Sequence, residues 1–536
     1  MPSFESLMHL CFVVALPVMA AMVLVMGIQA LILGTQSHQD ACRARVQAAT
    51  NPDTSAHPPY YLGLFHPYPN AGGGGERVLW TMIKAIQDKY PYIVCVIYSG
   101  DAISRDDLLR NVSAKFGMSI SPETVYIVDL SKRWWIDYKF PRLTLVMQSI
   151  GSLVLASQAM HLFCPDVFVE TVGFAFTYPL VRMLSARIPI VAYTHYPSIS
   201  SDMQTMVSSR EAGFNNSDHI AQSALLSALK SFYYRVFAIA YAFAGSFAST
   251  IMTNSSWTQD HIVRLFGKPN MTRVVYPPCD TKALSEFPLA PRSPLIVSLA
   301  QFRPEKNHVL QIEAFAQMLK TRPKLVAPAG ENLVADAGDL LAKCKQGLVE
   351  YPVLVMMGGA RNIEDEARAE ALQQTARRLG VNHQVLIVAN APWTQVLDFL
   401  RCARVGVHTM RDEHFGINIV EMMAAGLLTV AHDSAGPKLD IIVPAIRSPQ
   451  DLAAVESSGQ ECPVGFVATD AAEFAQSIAW ALDATDKAAS AVQRAARQAA
   501  STKFSEDAFR TAFYKRFGPV VQRLDNQRST NDEDDG

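Results

Sequence analysis

Two glutamates in the second half of the chain, Glu413 and Glu421, have the spacing of a ligand-binding pair. Glu413 precedes a predicted helix that begins near Gly416, and Glu421 lies inside it. A carboxylate can accept hydrogen bonds from vicinal hydroxyl groups, and the amides of Gly416, Ile417 and Asn418 at the helix start would favour an anion. Paired carboxylates also occur by chance, so neighbouring elements must support this pair. The stretch predicts a site for a ligand with hydroxyls and negative charge.

Two cations, Arg303 and Lys306, follow the apolar strand sequence SPLIVSLAQF. Between a strand and a helix they could clamp a diphosphate and neutralise the charge that develops on a leaving phosphate group. The alternative is a pair of solvated loop charges.

Four consecutive glycines, Gly72, Gly73, Gly74 and Gly75, lie between the first predicted strand and the first predicted helix. Without side chains, the backbone amides of such a loop can approach an anion closely at a helix N-terminus. The loop has neither the GxGxxG pattern nor a following Lys-Ser/Thr pair, so it fits no nucleotide-binding fingerprint. A diphosphate would fit it, and a turn without a ligand is the alternative.

Polar residues also close two predicted strands of the first half. The strand IPIVAYTH ends at His195, which Tyr196 and Asp202 follow, and the strand DVFVE ends at Glu170. A histidine there can meet a substrate hydroxyl or a phosphate, and Glu170 could face the same space. A purely structural histidine is the alternative for His195.

Short apolar strands alternate with helical sequences along most of the chain. This predicts an α/β fold with two doubly wound parallel sheets. The first series occupies residues 58–285, and the second occupies 293–500 with an insertion at about 323–351. Ligands of such sheets bind beyond the carboxyl ends of the strands, where every motif above falls. We therefore expect the two halves to face each other across a ligand-binding cleft.

The composition excludes several classes of protein. A net charge of −2 in 536 residues gives no basic excess for a nucleic-acid partner. The eight cysteines are scattered and form no CxxC pair, so they predict neither a zinc site nor a disulfide framework. Dispersed cysteines fit a reducing compartment.

The N-terminus predicts a membrane anchor. The apolar run from Leu7 to Leu33 exceeds the roughly 20 residues that cross a bilayer, so residues 1–35 are expected to form a transmembrane helix. Arg43 and Arg45 follow the span, which places the body of the protein in the cytosol. A cleaved signal peptide is the alternative and would place it in the lumen.

The remaining segments are predicted from composition. Residues 36–57 are expected to form a tether, 501–523 a C-terminal helix and 524–536 a disordered acidic tail. Two internal apolar segments, 140–163 and 224–253, suit either a membrane surface or a buried helix, and both alternatives stay open.

The E-x7-E stretch within EHFGINIVEMMAAG, with RPEKN before it and SAGPKLDII after it, resembles the retaining GT-B glycosyltransferases of family 4. The resemblance covers about Tyr60 to Gly518 and implies the GT-B fold, in which two Rossmann-like domains face a cleft. Within that family, HPYPNAGGGGERVLW, THYPSIS, NSSWT, YPPCDT and AQFRPEKNH are similar to sequences of the dolichol-pathway α-1,2-mannosyltransferases.

That resemblance implies an activity and a location. The enzyme would transfer mannose from GDP-mannose, a co-substrate, to a dolichol-diphosphate-linked oligosaccharide, adding its fourth and fifth mannoses in α-1,2 linkage with retention. It would need no cofactor and no metal. It would be a single-pass protein of the endoplasmic reticulum membrane with a cytosolic catalytic domain, and other dolichol-pathway mannosyltransferases would be candidate partners.

The resemblance also implies roles on the donor side. Glu421 would hold the donor ribose, Glu413 would touch the mannosyl hydroxyls, and Arg303 and Lys306 would bind the diphosphate. Glu413 and Lys306 would thus be catalytic. Many relatives place the clamp arginine at the position of Gln301, so Arg303 departs from the family pattern.

On the other side, the resemblance implies that Gly72–Gly75 sit over the reaction centre. His195 would be catalytic, near the acceptor or the transferred sugar, and Tyr196, Asp202 and Glu170 are its predicted acceptor-side neighbours. Two other functions stay open: mannosyl transfer to another lipid such as phosphatidylinositol, and a non-catalytic membrane scaffold that kept the fold.

Overall fold

A computed structural model of the chain describes residues 36–55, 57–137, 140, 143–199, 203, 209, 222–328, 333–334, 336–448, 450–451, 453 and 462–534. The chain divides into two compact units. The first runs to Thr253 and also takes in Thr258–Val274 and the chain from Ala512 onwards. The second comprises Asn254–Trp257 and Val275–Thr511. The predicted anchor, residues 1–35, and Asp202 lie outside the described residues.

The first unit is built on a parallel sheet of seven strands in the order β3-β2-β1-β4-β5-β6-β7. Apolar and β-branched residues dominate these strands, which suits a sheet covered on both faces. In chain order, the strands are β1 Tyr60–Phe65, β2 Ile93–Ser99, β3 Val125–Asp129, β4 Val167–Glu170, β5 Ile190–Thr194, β6 Thr250–Thr253 and β7 Thr272–Val274.

Helices connect these strands. The early connections are Gly74–Lys89, Arg105–Phe116 and the short helix Trp134–Asp137; the later ones are Thr144–Leu162, Thr177–Leu184, Ala224–Gly245 and Ser256–Phe266, the last of which begins in the second unit. One buried apolar cluster joins side chains of the helices Thr144–Leu162, Thr177–Leu184 and Ala224–Gly245 to the sheet. These helices therefore cover the same face.

The second unit has a parallel sheet of six strands in the order β10-β9-β8-β11-β12-β13. The strands are β8 Ser293–Leu299, β9 Val353–Gly358, β10 Val385–Ala389, β11 Ala403–His408, β12 Leu428–His432 and β13 Phe466–Ala468. Its helices are Thr281–Ser285, His308–Thr321, Ala337–Lys345, Ile363–Arg378, Trp393–Cys402, Ile417–Ala425, Ala471–Asp483 and Asp486–Lys503. A final helix, Glu506–Asp534, runs from this unit into the first. Two Rossmann-like units confirm the predicted fold class, whereas their arrangement about a cleft stays a prediction.

The predicted tether at 36–57 is wrong for its first part, which forms the helix Gln36–Ala49. Cys42 and Val46, one helical turn apart, are buried in the apolar cluster of the first unit. An ion pair of 2.6 Å joins Arg43 Nη2 to Asp166 Oδ1 and fixes the helix to the sheet. The segment is polar overall, but these few contacts suffice to dock it.

Two further predictions need correction. The tail at 524–536 was expected to be disordered, but its residues continue the helix Glu506–Asp534 up to Asp534. The apolar segment 224–253 is not one helix, because the helix ends at Gly245 and β6 begins at Thr250. Thr250 and Ile251 are β-branched, which favours the strand.

Candidate active site

Two loops of the second unit meet because their strands are neighbours in the sheet. The pairing of Val297 with Gly406 sets the register of β8 and β11, so these strands end side by side at Leu299 and His408. The loop after β8 carries Lys306, and the loop after β11 carries Glu413. The carboxyl edge of the sheet thus brings together two groups that are 107 residues apart in sequence.

Lys306 and Glu413 form a nearly buried ion pair. Lys306 Nζ lies 2.5 Å from Glu413 Oε2, and the two side chains are 19% and 11% exposed. Burial by itself would raise the pKa of Glu413, but the charge of Lys306 and a hydrogen bond from His408 hold that pKa well below its ordinary value. The carboxylate is therefore ionised near neutral pH.

A buried histidine that the sequence had not singled out completes this cluster. His408 Nε2 lies 3.0 Å from Glu413 Oε2, and His408 Nδ1 lies 2.8 Å from Asn418 Nδ2. The same amide nitrogen of Asn418 donates to the carbonyl of Leu299 at 2.5 Å. Asn418 was predicted as a backbone donor to an anion, yet its side chain is what reaches the cluster.

The helix Ile417–Ala425 starts beside the ion pair. Its cap, Gly416, has a φ of 107°, and a side chain there would collide with Ile419 and press on Glu413, so glycine is required. Helix starts leave backbone amides without intrahelical partners, which suits an anion next to Lys306. Glu421 is half-buried within this helix. Arg303, the predicted clamp, forms an ion pair with Glu305, at 3.4 Å from Nη1 to Oε1, and is 37% exposed.

The glycine loop of the first unit is held by a glutamate. Glu76 Oε2 accepts a hydrogen bond from the amide of Gly73 at 2.5 Å, and Glu76 Oε1 lies 3.3 Å from His66 Nε2. His66 Nδ1 in turn lies 2.7 Å from the hydroxyl of Thr171. This contact follows from the sheet, because Phe65 pairs with Glu170 at the adjacent ends of β1 and β4. His66 and Glu76 were missed, although Glu76 stands three residues after the helix cap, the spacing of a capping box.

His195 lies against this loop. It follows β5, is half-buried, and places its Nε2 3.6 Å from where a side chain at Gly75 would begin. Tyr196 is also half-buried, and its hydroxyl contacts the sulfur of Met203 at 3.2 Å. The structure therefore brings the glycine loop and His195 together at one edge of the first sheet.

Glu170, which was predicted on the acceptor side, makes its contacts within the first unit. It is fully buried, and its Oε1 accepts hydrogen bonds from the amides of Val172 and Gly173 at 2.7 and 2.8 Å. Its Oε2 accepts a third from the hydroxyl of Tyr178 at 3.0 Å. Burial raises the pKa of Glu170, while these donors oppose that shift. The carboxyl group thus holds the loop after β4.

Comparisons with known proteins cover both units. A family model described as "ALG11 mannosyltransferase N-terminus" matches residues 59–266, and one described as "Glycosyl transferases group 1" matches residues 280–498. The Mus musculus protein named "GDP-Man:Man(3)GlcNAc(2)-PP-Dol alpha-1,2-mannosyltransferase" is 38% identical over 458 residues, covering 84% of this chain and 85% of that protein. The Homo sapiens protein of the same name is 38% identical over 461 residues, with the same coverage.

Among solved structures, the α,α-trehalose 6-phosphate synthase from Burkholderia multivorans has a TM-score of 0.57. The alignment covers 87% of this chain and 100% of that one at 14% sequence identity. At this identity the likeness concerns the fold alone.

Proposed function

We propose, from the premise that the chain belongs to the family of GDP-Man:Man(3)GlcNAc(2)-PP-Dol α-1,2-mannosyltransferases, that mannosyl transfer takes place at the Lys306–Glu413 cluster. The enzyme transfers mannose from GDP-mannose in α-1,2 linkage to the dolichol-diphosphate-linked oligosaccharide. We further propose that the chain adds both the fourth and the fifth mannose. The observation that carries the site is the ion pair of Lys306 and Glu413 beside the glycine-capped helix start.

In this proposal Lys306 serves the diphosphate of the donor. The diphosphate binds at the start of the helix Ile417–Ala425, and Lys306 shares its charge between Glu413 and the phosphate oxygens. Negative charge grows on the diphosphate as the sugar leaves, so a cation fixed there stabilises the transition state more than the ground state. Arg303 and Glu421 complete the donor side, with Glu421 on the ribose.

Glu413 serves the sugar. Its ionised carboxylate accepts hydrogen bonds from mannosyl hydroxyls and stabilises positive charge at the anomeric carbon. The bond from that carbon to the diphosphate breaks, and the bond to the acceptor oxygen forms on the same face. The anomeric configuration is therefore retained, and the acceptor proton passes to an oxygen of the departing diphosphate. His195 and the glycine loop bind near the acceptor or the transferred sugar.

The test is a transfer assay with labelled GDP-mannose and the purified full-length enzyme in liposomes. One set carries Man3GlcNAc2-diphosphodolichol and the other carries phosphatidylinositol. We expect products with one and two added mannoses from the first acceptor and none from the second. Stopping after one mannose would limit the enzyme to the fourth position, and transfer to phosphatidylinositol alone would overturn the proposal.

Substitution of Gly75 by alanine should separate a ligand-binding loop from a simple turn. An added side chain would meet His195 Nε2 at 3.6 Å, an ordinary contact, so the fold has room for it. A diphosphate or sugar bound closely over the loop would collide with the added side chain. We expect turnover to fall by about tenfold or more, because small displacements of bound reactants are costly.

The control is Gly518→Ala, another helical glycine whose nearest contact, the hydroxyl of Tyr90, also lies at 3.6 Å. Alanine favours a helix over glycine by about 1 kcal/mol, so Gly75→Ala should not unfold more easily in a thermal melt. Gly518 precedes Pro519, which disfavours a side chain on the preceding helical residue, so Gly518→Ala is compared at a temperature below its own melt. Wild-type turnover in Gly75→Ala would remove the loop from the proposed site.

We also propose that one face of the first unit lies on the membrane. On the helix Ala224–Gly245, four exposed apolar residues follow at helical spacing: Phe232, Val236, Ile239 and Phe243, which are 51%, 50%, 72% and 64% exposed. The opposite side of the helix is buried. An exposed apolar stripe of this kind suits the boundary between lipid headgroups and acyl chains.

The occupant we infer is a bilayer because the helix that follows the predicted anchor belongs to the same unit and packs against the same apolar cluster as the helix Ala224–Gly245. The helix Gln36–Ala49 follows residues 1–35 directly and packs into the same apolar cluster as Tyr234 and Phe237. Its first turns reach the helix Thr144–Leu162, where His38 Nε2 lies 2.8 Å from the carbonyl of His161. Of the described helices, Thr144–Leu162 alone is long and apolar enough to cross a membrane. Residence in the endoplasmic reticulum membrane is part of this proposal.

The triple variant Phe232→Ser, Ile239→Ser, Phe243→Ser should lose activity on membrane-borne acceptor only. Each buried apolar side chain contributes about 1.5–3 kcal/mol when fully withdrawn from water, so partial loss of three should raise the KM for liposomal acceptor by about tenfold or more. A water-soluble short-chain acceptor should be used at the wild-type rate. An equal loss on both acceptors would contradict the membrane contact. The control removes three exposed apolar residues of the second unit, Leu348, Ile363 and Trp393.

A further inference from the structure

We propose that His408 and Asn418 are positioning residues that aim the carboxylate of Glu413 at the donor sugar. The inference rests on the proposed role of Glu413 and deepens it. His408 is the last residue of β11 and is fully buried, so it cannot itself touch a substrate. It acts only through Glu413, to which it donates a hydrogen bond over 3.0 Å.

The direction of each hydrogen bond follows from one carbonyl. The carbonyl oxygen of Leu299 can only accept, so the Asn418 atom 2.5 Å away must be the amide nitrogen. That nitrogen has a second hydrogen, which points to His408 Nδ1 at 2.8 Å. Nδ1 is then an acceptor, and the ring proton must be on Nε2, which faces Glu413. The backbone of β8 thus fixes the tautomer of a histidine on β11.

The charge state expected for His408 agrees with a hydrogen bond donated from its Nε2 to Glu413. Burial lowers the pKa of His408, and the nearby charge of Lys306 lowers it further, while Glu413 opposes both. A neutral imidazole orients the carboxylate without adding a second cation to the one Lys306 supplies.

As a result, one oxygen of the Glu413 carboxylate is held by the protein and the other is available to the donor sugar. Lys306 and His408 both contact Oε2 of Glu413. From the described part of the chain, no hydrogen bond reaches Oε1. Oε1 is therefore the oxygen that would accept a hydrogen bond from a mannosyl hydroxyl. His408 fixes the rotation of the carboxylate about its Cγ–Cδ bond and so fixes the position of Oε1. A loosely held carboxylate would still bind Lys306 but would lose geometry at the sugar.

A matched pair of substitutions separates positioning from packing. Glutamine at 408 can place its amide nitrogen near the position of Nε2 and still donate to Glu413. Asparagine at 408 reaches only the position of Nδ1, so it can keep the contact with Asn418 but not the donor to Glu413. Both are smaller and more polar than histidine, and any general disturbance of the core should affect both.

We expect His408→Asn to lower kcat by about tenfold or more with little change in the Kd of GDP measured by calorimetry, because the diphosphate contacts remain. His408→Gln should keep about a third or more of the wild-type kcat. Equal kcat values in the two variants, whether both high or both low, would overturn the positioning role. Thermal melts of both proteins check folding.

Glu413→Gln is measured in the same series to keep the two proposals apart. If that variant stays active, the proposed function of Glu413 fails, and the positioning role fails with it. If it is inactive while His408→Asn turns over at the wild-type rate, only the positioning role fails.

Discussion

Replacement of Lys306 by methionine should lower the rate of mannosyl transfer by about 10²–10³, because a fixed cation at a developing phosphate charge supplies several kcal/mol of transition-state stabilisation. Methionine keeps most of the side-chain volume and removes the charge. The loss should appear mainly in kcat, since charge on the diphosphate is greatest in the transition state. Single-turnover assays with saturating GDP-mannose measure it directly.

The control is Lys320→Met, an exposed lysine on the helix that follows Lys306. It should transfer mannose at the wild-type rate. Lys306→Arg should recover only part of the rate, because a planar guanidinium does not fit the place of a compact ammonium. Wild-type kcat in Lys306→Met would show that the charge neutralising the leaving group comes from elsewhere, and Arg303 would be the next residue to replace.

That Lys306 and Glu413 lie at the same edge of one sheet could be predicted, because it depends on topology. Each residue follows a recognisable apolar strand, and parallel strands end at one edge of the sheet. Two doubly wound sheets could be recognised from the alternation of strands and helices, so the edge could be recognised as well. This prediction did not require the order of the strands in the sheet. The order explains why the two side chains touch, because β8 and β11 are neighbours.

Side-chain direction could not be predicted in this way. Glu170 and His408 are both the last residue of a parallel strand, and nothing in the sequence distinguishes which of the two would face a ligand. The last side chain of a strand can point towards the helices that cover the sheet or away from them. Which of the two it does depends on the register of the strand and on the loop that follows. Glu170 turns towards loop amides, and His408 turns towards Glu413.

Contacts made by isolated polar residues were missed for a related reason. The helix Gln36–Ala49 is polar, and two buried residues and one ion pair dock it. His66 and Glu76 lie in the quoted glycine stretch, but the His66–Thr171 contact exists only because β1 and β4 pair. Composition averages over such residues, whereas tertiary pairing depends on each one.

Glu413→Gln should abolish most of the transfer activity, with a fall in kcat of about 10²–10³, because a neutral amide cannot stabilise charge at the anomeric carbon as a carboxylate does. The side chain keeps its size, so Gly416 and the helix start should keep their geometry. The same substitution has a second expected effect, on stability. It leaves Lys306 nearly buried without its counter-ion, and uncompensated buried charge is strongly destabilising.

The stability effect has a predictable pH dependence. The pKa of Glu413 is lowered in the folded protein, so its ionised form stabilises the fold at every pH above the unfolded-state value, about 4.3. As the pH falls below that value towards the lowered folded-state pKa, this contribution is lost. The difference in free energy of unfolding between wild type and Glu413→Gln should therefore be constant near neutral pH and shrink below about pH 4.3.

Urea titrations at several pH values measure this difference, and the double variant Lys306→Met, Glu413→Gln completes the cycle. If the ion pair is the cause, the double variant should be more stable than Glu413→Gln alone, because it no longer holds an unpaired cation. If the difference in free energy of unfolding between wild type and Glu413→Gln persists unchanged at low pH, it comes from packing and not from the charge of the carboxylate.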